Sequence, residues 1–202
     1  MSATTEINPQ VVKQLRDKTN AGMMDCKRAL AEAGGDVEKA EEILRKKGIA
    51  GAEKRLSRAA KEGVIASYIH MQGKVGVLVE INCETDFVAK NENFRNFVKD
   101  ITLHIAAANP LFLSREQASP EKIEKEREIY RAQVQNKPAN IVEKIVDGKI
   151  DKYYSTVCLM DQSFIKNPDQ TIADLVKAKI TELGENIVIR RFTRYMVGEE
   201  VA

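Results

Sequence analysis

Few side chains in this 202-residue sequence are of types that could act as nucleophile and base. Three cysteines, Cys26, Cys83 and Cys158, and two histidines, His70 and His104, are the starting inventory. A thiol beside an imidazole is the pairing of a cysteine nucleophile with its general base. Cys83 with His70 or His104 would be such a pair, but nothing in the spacing singles it out. There is no C-x-x-C, no H-E-x-x-H, and no second His or Cys at zinc-ligand spacing from His70. Gly73-Lys74 and Gly148-Lys149 are each followed by an apolar residue, where a phosphate loop needs Ser or Thr. Neither G-x-G-x-x-G nor G-x-S-x-G occurs. The plentiful carboxylates lie on helix faces, where i,i+4 pairing with Lys and Arg accounts for them. The sequence predicts no cofactor, no metal and no enzyme.

A different stretch places chemistry at a defined point. Glu80-Ile-Asn-Cys-Glu-Thr-Asp-Phe-Val-Ala-Lys-Asn91 leaves an alternating apolar run, crosses a short polar segment and enters a long amphipathic helix. Phe87 stands at that junction, flanked by Asp86 and Val88. A phenylalanine beside a carboxylate there has two uses. It staples the helix start to the core, packing on Phe94 or Val98, or it projects and wedges into a partner.

The elements that must position this stretch follow from composition and periodicity. Hydrophobic residues make up 43% and charged residues 31%, the balance of a helix-rich globular protein. Aromatics are 5% with no Trp, so Val, Ile, Leu, Ala and Met must build the core. A net charge of +2 argues against whole-molecule steering to nucleic acid or anionic membrane. An odd number of scattered cysteines reads as reduced thiols in a cytoplasmic protein. The start has no basic n-region or apolar h-region of a secretory signal. No apolar run reaches the ~20 residues of a membrane span.

Residues 8–48 predict three short helices. Asn8-Pro9 opens the first, which carries Val11, Val12 and Leu15 and ends near Asn20. The second carries Met23, Cys26, Leu30 and Ala33 and stops at Gly34-Gly35. Asp36 caps the third, with Val37, Ala40, Ile43 and Leu44 inward and an end at Gly48. Domain one is thus residues 1–50. Residues 51–62 form a basic, partly helical linker within a wider basic run of Arg45, Lys46, Lys47, Lys54, Arg55, Arg58 and Lys61. This run is either a solvated face or an RNA contact, though it lacks interleaved aromatics for base stacking.

Residues 63–202 form an α+β core. Val75, Val77, Val79 and Ile81 alternate strictly, and with Val64–Met71 and the Gly73 turn they predict a β-hairpin. Phe94, Phe97, Val98, Ile101, Ile105 and Ala108 mark the long helix, capped by Asn91 or Asn93, with His104 at the core edge. Two helices with thin apolar seams, broken at Lys137-Pro138 and closed by Gly148, predict a protruding hairpin over 119–148. Residues 149–165 read as a helix turning into an extended segment. Thr171 caps a last helix that Gly184 stops. Asn186–Val197 then reads as a strand completing a three-stranded antiparallel sheet, with helices over one face.

Two stretches carry a resemblance: Thr19-Asn-Ala-Gly-Met-Met-Asp-Cys-Lys-Arg-Ala-Leu30 and Cys83-Glu-Thr-Asp-Phe-Val-Ala-Lys90. With Gly34-Gly-Asp36, Gly76-Val-Leu-Val-Glu80, His104-Ile-Ala106 and Gly184-Glu-Asn-Ile187, they resemble bacterial translation elongation factor Ts, in order and over nearly the whole chain. The resemblance implies an N-terminal ubiquitin-associated-like domain and the family's α+β core. It implies guanine-nucleotide exchange on elongation factor Tu, with no cofactor held by the exchange factor. It assigns Thr85, Asp86, Phe87 and Val88 to the segment that intrudes near the partner's magnesium and phosphate site. Gly22, Met23, Met24 and His70 become secondary partner contacts. Longer members carry two hairpin-and-helix units and this sequence shows one, with Tyr68-Ile-His70 and His104-Ile-Ala106 similar to the second copy and Thr85-Asp-Phe87 to the first. The chain therefore resembles the short form, and a homodimer with the last strand as its seam is the expectation. An RNA-associated or ubiquitin-like-binding adaptor using residues 45–61 is the reading from another class.

Overall fold

A computed structural model describes residues 7–19, 21–134 and 138–200. The N-terminal signal reading, the helix end at Asn20 and the Lys137 half of the hairpin break lie outside the described residues. Three helices come first: α1 (Pro9–Thr19), α2 (Met23–Glu32) and α3 (Val37–Arg55). The Asn8 side chain accepts from Gln10 N at 2.9 Å, and Pro9, which has no N–H to satisfy, opens α1. Gly34 and Gly35 end α2 with φ of 64° and 91°, a left-handed pair that residues with a Cβ rarely adopt. Asp36 then caps α3, accepting from Lys39 N at 3.1 Å. Val12, Leu15, Cys26, Ala29, Leu30, Ala40 and Leu44 pack between the three helices.

The third helix does not end at Gly48 but continues to Arg55. Gly48 is there for contact. Its carbonyl accepts from Thr181 Oγ1 at 3.1 Å, and a Cβ at that position would lie 2.9 Å from Thr181 Cγ2. Ala52, one turn on, is fully buried in the core of the larger unit. The division at residue 50 thus falls inside a helix, and the first part of the basic linker is packed rather than free.

The larger unit is built on β1 (Glu62–His70), β2 (Val75–Cys83) and β5 (Val188–Met196), an antiparallel sheet in the order β1-β2-β5. Val75, Val77, Val79, Ile81 and Cys83 of β2 all face inward. The long helix α5 (Glu92–Ala108) follows the five-residue α4 (Asp86–Lys90) and buries Phe94, Phe97, Val98, Ile101 and Ile105 against them. On the other face of the sheet, Ile65, Ile69, Leu78 and Tyr195 are exposed.

The helical hairpin is α6 (Pro120–Gln133) and α7 (Ala139–Val157), closed on Ala118, Ile123, Val146 and Ile150. Gly148 does not close it; α7 runs through that residue for nine more. A glycine ends a helix by turning left-handed, which Gly184 does at φ 74° and Gly148 does not. A short strand pair, β3 (Ser163–Phe164) and β4 (Asn167–Thr171), follows. Thr171 and Asp174 form a capping box at the start of α8 (Ile172–Leu183), whose Ile172, Val176 and Ile180 complete the core. Among the described residues, no helix is long and apolar enough to cross a membrane.

Candidate functional site

The segment after β2 is held from both sides. Cys83 is fully buried and its thiol donates to Thr85 O at 3.2 Å. Thr85 has extended backbone and caps α4, its hydroxyl accepting from Val88 N at 3.3 Å. Asn91 ends α4 and caps α5, accepting from Asn93 N at 2.8 Å. Val88 and Ala89 point into the core, which fixes the rotation of this single turn. Each helical residue advances by about 100°, so Phe87 is turned out.

Phe87 is 78% exposed, the most exposed large apolar side chain among the described residues. The staple arrangement is therefore not formed, and Phe94 and Val98 fill the core without it. Asp86 is exposed beside it and pairs with Lys90 at 2.7 Å, an i,i+4 contact. The Lys90 ammonium holds its carboxyl below the usual carboxylate range. Of the four segment residues, Thr85, Asp86 and Phe87 reach solvent, while Val88 is 6% exposed and its side chain serves the core.

Glu185 also belongs to this site. Its carboxylate accepts from Glu84 N and Thr85 N at 3.1 Å each and from Thr85 Oγ1 at 2.6 Å. The sequence marks Glu185 only within Gly184-Glu-Asn-Ile187, since nothing local connects it to a residue 100 positions away.

The remaining assigned residues stand elsewhere. Gly22 is the N-cap of α2 without a side-chain hydrogen bond, and Met23 and Met24 in its first turn are 48% and 64% exposed. His70 is exposed at the end of β1, its Nδ1 within 2.9 Å of the Tyr68 hydroxyl and its ring stacked on that tyrosine. In the hairpin register His70 faces Val75, and Cys83 lies at the opposite end of β2. Eight strand steps separate them, roughly 26 Å. The residues do not converge on a pocket; they are spread over separate elements, as in a docking surface.

The thiol–imidazole pair does not form. Burial and the nearby Glu185 charge push the Cys83 thiol up to about 11. His104 is buried; its Nδ1 accepts from Ile165 N at 3.3 Å, so Nε2 carries the proton and donates to Gln162 Oε1 at 2.9 Å. It is a fully buried structural histidine rather than one at the core edge, and burial lowers its pKa. Among the described residues, no group of three or more His, Cys, Asp or Glu could hold a metal.

The capped turn leaves Phe87 bare, and Met23 and Met24 are exposed on another element, so none of the three is used by the chain's own cores. A family model described as Elongation factor TS matches residues 9–199. A protein named Elongation factor Ts from Carboxydothermus hydrogenoformans is 59% identical over 97% of this chain and 91% of its own length. Proteins of the same name from Desulforamulus reducens and Thermodesulfovibrio yellowstonii are 58% and 56% identical, each over 96% of this chain. The chain belongs to the elongation factor Ts family, and its role is that of a translation elongation factor.

Proposed function

We propose that the chain is a guanine-nucleotide exchange factor for elongation factor Tu, acting in the cytoplasm during polypeptide chain elongation. It promotes GDP release by inserting the turn Thr85-Asp86-Phe87-Val88 near the partner's magnesium and phosphate site. The observation that carries this reading is Phe87, almost bare of contacts on a turn whose backbone is fixed from both sides.

Exchange needs differential affinity, because only a ligand that prefers one state shifts an equilibrium. Phe87 fills an apolar gap that opens in the partner when its nucleotide site is displaced. Asp86, released from Lys90, competes for donors that served the magnesium shell. Thr85 holds the turn, and Val88 contributes by anchoring it in the core. Met23 and Met24, flexible apolar side chains, form a second contact from Gly22 onward, and His70 a third. The factor binds both the GDP-bound and the nucleotide-free partner and holds no cofactor of its own.

A second copy of the chain completes the active assembly. The sheet offers it β5 as an edge strand and an uncovered face with Ile65, Ile69, Leu78 and Tyr195, where a shallow hollow measures about 370 Å³. Light scattering tests this: an active monomer at micromolar concentration contradicts it. The adaptor reading loses ground to pairing within the basic run. Lys46 pairs with Glu42, Lys47 with Glu32 and Arg58 with Glu84. The exchange reading is tested by release of fluorescent GDP from purified elongation factor Tu. Acceleration by this chain is expected, and an unchanged rate contradicts the reading. Salt-dependent RNA binding without any effect on release would favour the adaptor.

A further inference from the structure

Glu185 follows Gly184, whose left-handed backbone ends α8, and the chain there turns toward the start of α4. Its carboxylate meets three donors, two backbone N–H groups and one hydroxyl, all from Glu84 and Thr85. Those two N–H groups belong to the α4 cap, Thr85, and to the residue before it. Hydrogen bonds from such groups to a carboxylate are charge-assisted and roughly twice as strong as neutral ones. The contact is reciprocal: Asn186 N donates to Glu84 Oε1 at 2.6 Å, and Arg58 Nη1 lies 3.5 Å from the same oxygen. Asn186 extends the lock to the end of α3, its side-chain amide donating to Arg58 O at 2.7 Å and Leu56 O at 3.3 Å. Asn186 is 1% exposed, so this joint is a packed one.

Phe87 is absent from the core, so its direction is set only by the backbone that carries it. Val88 and Ala89 hold one end of that backbone. The Glu185 carboxylate holds the other. We propose that Glu185 is a positioning residue for nucleotide exchange, fixing the Thr85–Phe87 backbone in the orientation that inserts Phe87 into the partner. Asn186 ties that orientation to the end of α3, the helix that packs against α2 with its Met23 and Met24. This rests on the exchange reading above.

The test measures GDP release from elongation factor Tu against exchange-factor concentration for wild type, Glu185→Ala, Glu185→Gln and Phe87→Ala. For Glu185→Ala the maximal stimulated rate falls roughly ten- to a hundredfold, the scale of a small misplacement of a reacting group. The half-saturating concentration holds within about threefold, because docking elsewhere is intact. Glu185→Gln restores the maximal rate to within about threefold, since its amide oxygen accepts both N–H groups and the Thr85 hydroxyl can accept from its NH2. A maximal rate for Glu185→Ala within about twofold of wild type overturns the proposal. So does a Gln variant as slow as Ala, which would mean the charge itself acts. If Glu185→Ala fails to fold, Glu185→Asp takes its place, with the oxygens withdrawn by one methylene; it too must be slow, and wild-type release by it overturns the proposal. Phe87→Ala separates the two readings. If Phe87→Ala releases GDP at the wild-type rate, the exchange mechanism fails and the proposal with it. If Phe87→Ala is slow and Glu185→Ala is not, only the positioning role fails.

Discussion

Replacing Phe87 and Phe94 by alanine, one at a time, separates a residue kept for a partner from one kept for the fold. Phe87 is 78% exposed, so about a fifth of it is covered. On a side chain that buries ~200 Å² when fully enclosed, that is ~40 Å² and, at ~25 cal/mol per Å², ~1 kcal/mol at most. Phe94 is completely buried among the sheet and α5 residues, and a Phe→Ala change in a packed core costs about 3–5 kcal/mol. For a chain of this size each kcal/mol moves Tm by about 2–4 °C. Thermal unfolding followed by circular dichroism is therefore expected to show Phe87→Ala within about 4 °C of wild type, and Phe94→Ala lower by roughly 6–20 °C. Equal losses for the two variants would refute the argument, because they would mean that Phe87 packs on its own core.

Two further predictions come from buried titratable groups. His104 is neutral in the fold and its pKa is lowered by burial, so its stabilising contribution is intact above the ordinary pKa near 6.5 and is lost as pH falls from there toward the folded value. Urea midpoints at pH 7.5 and 5.5 should differ, and His104→Gln should flatten that difference. The Cys83 thiol, pushed up to about 11, should alkylate more than about a hundredfold more slowly at pH 8 in the native protein than in urea; fast native labelling would contradict the buried, donating thiol.

Much of the fold was legible because single positions allow few alternatives. The alternation of Val75, Val77, Val79 and Ile81 admits only a strand with one buried face, and Asp36 and Thr171 each cap the helix the sequence assigns to them. Glycine was the ambiguous signal. Gly34, Gly35 and Gly184 end helices and Gly48 and Gly148 lie inside them, a difference of backbone hand that appears only in context. Gly48 is explained by Thr181, a contact 133 residues away. The strand pair β3–β4, short and polar around Asn167-Pro168-Asp169, has no periodicity to read. At the site, the sequence located Phe87 and left its direction open. A single helical turn can face either way, and the burial of Val88 and Ala89 decides it. Glu185 was not legible as a partner of Thr85, because the two meet only once β5, which follows Glu185, is paired with β2, which precedes Thr85.

The most direct measurement of the central claim is stimulated release of fluorescent GDP from elongation factor Tu by wild-type chain and by Phe87→Ala, each shown to be folded. Strong acceleration by wild type is expected, and a drop of at least about tenfold for Phe87→Ala. Equal acceleration by the two proteins would contradict it.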